Sequence, residues 1–309
     1  MDAGTAVSAA LVPSREIYRR ELTEMARQDD RILCLEADLG GQRHPFADAH
    51  PDRFFNLGIA EAAMIDIAVS LASAGYRPFV STFATFAVLR AGESMKLGLG
   101  YLGAPVTIVA PYAGVSGGWL GTTHHCLEDF AVVQSMPGIA LAAPYGADET
   151  RAVLHNALAE GRPHYIRLGR NQGYESLAGD RPSPDFVTWD HEGDGETCLV
   201  SVGEKGTELS LLAVAEQPTL SHAHLCYLDQ GALAKAARHL SPKAERFVVV
   251  EEHRPGGSVA AALALLLPDR EVCSVSAGEG WVSSGGSHDD ILRQLGMTLP
   301  ALLAVANRN

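Results

Sequence analysis

Short apolar runs alternate along this chain with longer segments in which apolar residues recur every three or four positions. The short runs have the length of buried strands, and the longer segments have the period of an amphipathic helix. Strands that alternate with helices in this way are typical of parallel sheets, because each crossover between parallel strands is usually a helix lying on the sheet. The pattern therefore predicts the α/β class, with two doubly wound domains.

The first predicted domain covers residues 1–181. Its helices are predicted at residues 14–27, 60–74, 86–97, 127–135 and 147–159, and its strands at residues 31–35, 78–81, 106–110, 138–142 and 164–168. Gly75 directly follows the second of these helices and is a typical C-terminal stop.

Glycine and proline accumulate where the apolar pattern lapses, and residues 182–194 are predicted to be a linker. A second domain is predicted over residues 195–309. Its strands are predicted at residues 197–202, 223–228, 246–250 and 272–276, and its helices at residues 231–240, 257–267 and 288–295.

Composition agrees with this plan and excludes some functions. A length of 309 residues fits two domains, since a domain usually has roughly 100 to 200 residues. The 24 basic and 37 acidic residues give a net charge of −13, and no cluster of Lys and Arg offsets it, so nucleic acid is not an expected partner. The five cysteines lie far apart, which favours reduced thiols. No apolar run approaches the ~18 residues of a membrane span, and we expect a cytoplasmic protein without membrane contact.

Two short motifs are misleading. Residues 98–103 match GxGxxG, but they follow a predicted helix and precede a strand, whereas a dinucleotide site needs the reverse order. Residues 114–118 match GxSxG, but the residues after Ser116 do not favour the helix that a nucleophile elbow requires. A serine hydrolase that uses Ser116 remains an alternative.

A carboxylate in the first turn of an apolar helix is more informative. Glu61 ends the segment Phe-Phe-Asn-Leu-Gly-Ile-Ala-Glu, and the helix that it begins is expected to be buried. A buried carboxylate costs several kcal/mol unless it has a partner or keeps its proton. Glu61 is therefore either a helix-capping residue or part of a functional site.

Five segments taken together resemble the second half of a transketolase. In order they are residues 36–40 (EADLG), 54–61 (FFNLGIAE), 81–86 (STFATF), 118–125 (GWLGTTHH) and 165–170 (YIRLGR). Residues 14–171 resemble the pyrimidine-binding domain. Residues 195–309 resemble the C-terminal domain more loosely, best at Glu251-Glu252-His253.

This resemblance implies thiamine diphosphate as cofactor. It implies that Glu61 is a catalytic residue that bonds a ring nitrogen of the aminopyrimidine, and that Phe83 and Phe86 stack on this ring. It places Asp38 and Leu39 beside the cofactor. Phe86 could equally be a core aromatic, Phe83 could also be one, and Asp38 could equally be a turn residue.

The resemblance also implies substrate-binding residues. His124 matches a catalytic histidine that contacts the donor's oxygens and relays protons, and Arg170 matches an arginine that holds a sugar phosphate. A loop histidine and a surface ion pair are the simpler alternatives.

The sequence departs from the family at three of these substrate positions. Leu120 replaces an acidic residue that recognises a substrate hydroxyl, so we expect an aldehyde acceptor that need not carry a 2-hydroxyl. Tyr112 replaces a phosphate-binding histidine and His125 replaces a glutamine, so phosphate on the acceptor is not expected.

The diphosphate-binding half of a transketolase has no counterpart here. Gly-Asp-Gly at residues 193–195 lacks the downstream Asn that completes the family's diphosphate motif. We therefore expect no metal ligand on this chain. A separate N-terminal transketolase subunit is expected to hold Mg²⁺ and the diphosphate, in an α₂β₂ assembly.

The leading hypothesis is the C-terminal subunit of a split transketolase, which moves a two-carbon ketol unit from a ketose phosphate to an aldehyde. One alternative is the β subunit of a 2-oxo-acid dehydrogenase E1 component. Another is a noncatalytic regulatory subunit, which the departures at Leu120 and Tyr112 would suit.

Overall fold

Two open sheets form the framework of the chain, for which the computed structural model describes residues 11–39, 44–170, 172–177 and 187–308. In chain order the strands are β1 (Ile32–Glu36), β2 (Phe54–Asn56), β3 (Arg77–Ser81), β4 (Thr107–Ala110), β5 (Ala140–Ala142), β6 (His164–Arg167), β7 (Val187–His191), β8 (Thr197–Val202), β9 (Ser221–Leu225), β10 (Arg246–Glu251) and β11 (Glu271–Ser276). The first sheet has the order β2-β1-β3-β4-β6-β5 and the second β11-β10-β8-β9-β7. The predicted α/β class is confirmed.

Helices cover these sheets. The α-helices are α1 (Ser14–Gln28), α2 (Pro45–Ala49), α3 (Glu61–Ser73), α4 (Gly92–Ser94), α5 (Asp129–Gln134), α6 (Gly146–Glu160), α7 (Gly203–Glu216), α8 (Gln230–Leu240), α9 (Val259–Leu266), α10 (His288–Gln294) and α11 (Leu299–Ala306). No described helix is both long enough and apolar enough to cross a membrane.

Strand β1 shows why the first sheet needs a cover on each face. All its residues are buried, with Leu33 and Leu35 in one apolar cluster and Ile32 and Cys34 in another. Successive side chains of a strand point to opposite faces, so a continuous apolar run is buried on both. The strand is apolar along its whole length because helices cover both faces of the sheet.

The predicted single helix at residues 86–97 is wrong in form. This segment consists of a π-helix at Phe86–Arg90, the short α4 and a second π-helix at Met95–Tyr101. The second π-helix packs closely on α3, since a Cβ atom at Gly98 would lie 2.4 Å from Cγ2 of Val69. The GxGxxG residues therefore serve helix packing and the turn before β4.

The predicted linker at residues 182–194 contains a strand. Its residues 187–191 form β7, which pairs antiparallel with β9 at the edge of the second sheet. Residues 182–186 lie outside the described part of the chain. The glycines and prolines around β7 mask its short alternating pattern, and the helices α7 and α11 also lie in stretches where no element is predicted.

Candidate active site

The predicted site residues of the first domain follow the carboxyl ends of its parallel strands. Asp38 follows β1, Phe83 follows β3, Tyr112 follows β4 and Arg170 follows β6. Neighbouring parallel strands bring such residues to one edge of the sheet, where open α/β folds bind their ligands. The fold therefore supplies a common location for residues that are far apart in sequence.

Glu61 is a buried carboxylate at the start of α3, with 2 % of its surface exposed. Its position in the first helical turn suits a negative charge, because the N-terminus of a helix is the positive end of the helix dipole. Nη1 of Arg90 donates to both carboxylate oxygens of Glu61, at 2.8 and 2.9 Å. Sequence reasoning missed this partner, although Arg90 is the only charged residue in its apolar π-helix.

The guanidinium of Arg90 also lies over an aromatic ring. Its central carbon is 4.2 Å from the centre of the Phe86 ring. About half of the Arg90 side chain is exposed, at 47 %, whereas the carboxylate that it pairs with is buried. A flat cation thus fills the space between Glu61 and the face of Phe86.

Three rings meet beside this pair. The centres of the Phe83 and Phe86 rings are 5.5 Å apart, and each lies 5.3 Å from the imidazole of His124 in an edge-on arrangement. The structure thus brings together three of the residues that the sequence selected. They form an aromatic surface next to Glu61.

His124 lies on the short 3₁₀ turn Thr122–His124. Its Nδ1 is 2.9 Å from Oγ1 of Thr123. Burial, followed by the positive charge of Arg90, lowers the pKa of His124 below its ordinary value. The imidazole is therefore neutral near pH 7 and can accept a proton.

Tyr112 has a left-handed backbone conformation, with φ of 60°. Aromatic residues seldom adopt this conformation, and it is more frequent at functional sites. The Tyr112 ring lies 4.3 Å from that of Phe83. The guanidinium of Arg170 lies 4.8 Å from the Tyr112 ring and 4.7 Å from that of Trp119. Arg170 is thus held against two aromatic rings at the edge of the site.

Asp38 and Leu39 differ in exposure. Asp38 is exposed and left-handed, with φ of 44°, and its N–H donates to Oδ1 of Asn56 at 3.3 Å. The same oxygen accepts the N–H of Gly58 at 3.0 Å, while Leu39 is buried. Asn56, which sequence reasoning did not select, therefore ties the turn after β1 to the chain that leads into Glu61.

Leu120 and His125 occupy different surroundings in the loop of residues 114–126. Leu120 and Tyr112 both pack against Gly117, where a Cβ atom would meet their side chains at 3.3 and 3.0 Å. His125 is buried, its Nε2 has no hydrogen-bond partner among the described residues, and it lines a cavity of about 380 Å³ with Trp281 of the second domain. Leu120 thus adjoins the aromatic residues of the site, whereas His125 contributes to a cavity between the two domains.

Ser116 lacks the geometry of a nucleophile elbow. It is 1 % exposed, and its hydroxyl donates to the carbonyl oxygen of Ala113 at 2.8 Å. The turn that follows is the 3₁₀ segment Gly118–Leu120, not a helix that begins at the serine. This arrangement disfavours the serine hydrolase alternative.

Comparison with known proteins relates the chain to one family. Residues 11–174 match the model of the transketolase pyrimidine-binding domain. One of the subunits of apulose-4-phosphate transketolase from Phocaeicola vulgatus is 30% identical over 280 residues, which cover 85% of this chain and 86% of that protein. The SqwH subunit of 6-deoxy-6-sulfo-D-fructose transketolase from a Clostridium species is 30% identical over 80% of this chain and 74% of that protein.

The similarity extends to a solved structure. A split-gene transketolase, described as an inactive tetramer of beta chains, superimposes with a TM-score of 0.82 and is 29% identical. The match covers 96% of this chain and 97% of that one. Because the family model matches more than half of the chain and the apulose-4-phosphate transketolase subunit matches most of it, the chain belongs to the transketolase family and corresponds to its C-terminal half.

Proposed function

We propose that this chain is the C-terminal subunit of a split thiamine diphosphate-dependent transketolase, which transfers a two-carbon ketol unit from a ketose phosphate to an aldehyde. The observation that carries the proposal is the grouping of Glu61, Phe83, Phe86 and His124 around one aromatic surface. Each matches a family residue with a role in cofactor or substrate binding.

The residues present fit the aminopyrimidine of the cofactor. Arg90 offers Glu61 an N–H donor and offers Phe86 a flat face. A planar nitrogen heterocycle has the same two properties, so it would be held by the same carboxylate and ring. When bound, thiamine diphosphate supplies the nucleophilic carbon that receives the ketol unit.

Each of these side chains would then have a separate role in binding or proton transfer. Glu61 would share a proton with a ring nitrogen, and Phe83 and Phe86 would hold the ring and exclude water. Asp38 and Leu39 would lie beside the cofactor. Since Nδ1 of His124 lies against Thr123, a substrate oxygen would meet Nε2, where the neutral imidazole can take or return a proton.

Substrate selection would rest on the loop and on Arg170. Arg170 would bind the phosphate of the donor. Leu120 cannot accept a hydrogen bond, so the acceptor need not carry a 2-hydroxyl. Tyr112 and His125 stand where family members have groups suited to a phosphorylated acceptor, so an acceptor without phosphate is proposed.

The proposed partner is an N-terminal transketolase subunit that holds the diphosphate and Mg²⁺, in an α₂β₂ assembly. Apolar side chains near Glu61 and Arg90 in sequence support this, because Ile59 is 75% exposed, Leu89 58% and Phe55 41%. The contact between Arg90 and Glu61 brings the segments of Leu89 and Ile59 together, and exposed apolar residues close to one another often mark an interface with another protein. The relatives named as transketolase subunits support a two-chain enzyme as well.

Reconstitution tests the proposal. The chain is purified alone and with the candidate N-terminal subunit, and both preparations are assayed for ketol transfer and for pyruvate decarboxylation. Ketol transfer only with the partner is the expected result, and Glu61→Gln should lower it by about 100-fold or more, which is typical for loss of an acid–base group. Glu216→Gln, at an exposed position at the end of α7, is the control.

The other outcomes identify the alternatives. Pyruvate decarboxylation without ketol transfer would indicate a 2-oxo-acid dehydrogenase subunit. Full ketol transfer in the Glu61→Gln complex would indicate a noncatalytic subunit.

A further inference from the structure

The loop that carries Leu120 and His124 has little regular structure of its own. Residues 114–126 are closed at the base by the N–H of Cys126, which donates to the carbonyl of Gly114 at 2.8 Å. Between these ends the helical segments of the described structure are two short 3₁₀ turns. Such a loop keeps one conformation only if its surroundings hold it.

The second domain contacts the base of this loop through a buried carboxylate. Glu252 directly follows β10, and its Oε1 accepts the N–H of Val115 at 2.7 Å and lies 2.7 Å from Nε2 of His288. Gly114 has a φ of 60°, and a Cβ atom there would lie 2.1 Å from Cδ of Glu252. The glycine therefore allows the carboxylate to sit directly against the loop.

The residues after Glu252 hold the other end of the loop. The N–H of Arg254 donates to the carbonyl of Leu127 at 2.9 Å, and its Nε lies 3.1 Å from Oε1 of Glu128. Nε2 of His253 accepts the N–H of Ala131 at 3.4 Å, in the first turn of α5. The Glu251-Glu252-His253 motif thus belongs to a strand end that contacts both ends of the loop.

The start of α10 supports the tip of the loop. A Cβ atom at Gly118 would lie 2.6 Å from the carbonyl oxygen of Gly286 and 2.9 Å from that of Ser287. His288 follows directly and reaches back to Glu252. The tip and the base are therefore joined through the contact between His288 and Glu252.

The charge of Glu252 strengthens this contact. Burial acts to raise the pKa of Glu252, but His288, the charge of Arg167 and the N–H of Val115 together hold it below its ordinary value. The group is therefore an ionised acceptor, and hydrogen bonds to a charged acceptor are stronger than neutral ones.

We propose that Glu252, paired with His288, is a positioning residue that holds the loop of residues 114–126 in the conformation that presents Leu120 and His124 to the substrate. The kinetic part of this inference rests on the proposed transketolase function. The structural part does not, since it concerns only contacts within the chain.

Amide hydrogen exchange on the full chain, with and without the partner subunit, tests the structural part. Glu252→Ala should speed exchange within residues 114–126 by about tenfold or more, as expected for loss of a hydrogen bond to a charged group. His288→Ala should give a smaller increase at the same residues. Glu252→Gln keeps an acceptor oxygen but loses the charge, so its exchange should lie between that of the wild type and that of Glu252→Ala. Glu245→Ala, which removes an exposed carboxylate at the other end of β10, is the matched control.

The complex tests the kinetic part. Glu252→Ala should lower kcat/KM for ketol transfer by about tenfold, while the Kd of thiamine diphosphate should stay the same, because Glu61, Phe83 and Phe86 lie outside the loop.

Three results would overturn the proposal: unchanged exchange in residues 114–126, exchange raised equally throughout the chain, or a weaker Kd that accounts for the whole kinetic loss. If Glu252→Ala does not fold, the same measurements are made on His288→Ala and Glu252→Gln. Each should speed exchange within residues 114–126 by less than Glu252→Ala, and unchanged exchange in both would overturn the proposal. Absence of ketol transfer in the wild-type complex would count against the proposed function, and the exchange results would still decide the role of Glu252.

Discussion

The guanidinium of Arg90 pairs with the buried carboxylate of Glu61, with Nη1 at 2.8 and 2.9 Å from its two oxygens. The same guanidinium lies over the Phe86 ring. A cofactor that needs Glu61 and Phe86 must therefore displace it. Because the arginine side chain is half exposed, it can move into solvent. The buried carboxylate of Glu61 needs a partner, which the cofactor would then supply in place of Arg90.

Replacing Arg90 by Met should tighten cofactor binding. The Arg90→Met variant lacks the competing cation, so thiamine diphosphate can bind to the assembled enzyme without displacing it. Its Kd should fall by about fivefold or more, which corresponds to about 1 kcal/mol or more. Isothermal titration calorimetry measures this, with Arg293→Met, an exposed arginine on α10, as control. Weaker binding in Arg90→Met would show that Arg90 supports the cofactor site instead of competing for it.

Replacing Leu120 by Asp should change acceptor preference. Leu120 is only partly buried, so a carboxylate is tolerated there and can accept a hydrogen bond from a 2-hydroxyl. The ratio of kcat/KM for a 2-hydroxyaldehyde over its 2-deoxy analogue should rise by about tenfold or more. Leu120→Ala removes the apolar side chain without adding an acceptor and should leave the ratio near that of the wild type. Strict wild-type preference for 2-hydroxyaldehydes would contradict the assignment of Leu120.

The fall of kcat/KM at acidic pH, the acidic limb of the pH–rate profile, should reflect protonation of His124. A neutral imidazole is needed to accept a proton, and its lowered pKa keeps it neutral to a pH below the ordinary histidine value. His124→Asn should abolish this limb together with most of the activity. In the chain without cofactor, Arg90→Met removes one cause of the lowering and should raise the pKa of His124, which an NMR titration of the imidazole measures. An acidic limb that persists in His124→Asn would show that another group titrates.

The buried Glu204 should make stability depend on pH. Burial raises its pKa from 4.5 to about 7, although its Oε1 accepts the hydroxyl of Ser14. As pH rises, the unfolded state loses this proton first, so the folded state loses stability from about pH 4.5 to about pH 7. The loss is on the order of 3 kcal/mol above that range.

Urea unfolding at several pH values measures this effect. Glu204→Gln mimics the protonated carboxyl, so its stability relative to the wild type should increase from pH 5 to pH 8. Glu216→Gln, exposed at the end of the same helix α7, should show no such trend. A constant difference between Glu204→Gln and the wild type would mean that Glu204 has an ordinary pKa in the folded state.

Local pattern was sufficient for most of the elements and for the choice of many site residues. Apolar runs such as β1 predict buried strands because both faces of a doubly wound sheet exclude water. Glu61 was selected because a buried carboxylate in an apolar helix is costly unless it has a partner. Phe83, Phe86 and His124 were selected by their resemblance to family residues. These inferences need only the order of residues along the chain.

The hydrogen-bond partners of these residues depend on the tertiary fold of the chain. Arg90 is 29 residues from Glu61, and Glu252 is 137 residues from Val115. Neither pair shares a helix face or a turn, so no local period relates them. Their contacts follow from the order of strands in the sheets and from the packing of one domain on the other, because a hydrogen bond forms only where the folded backbone brings donor and acceptor within about 3 Å.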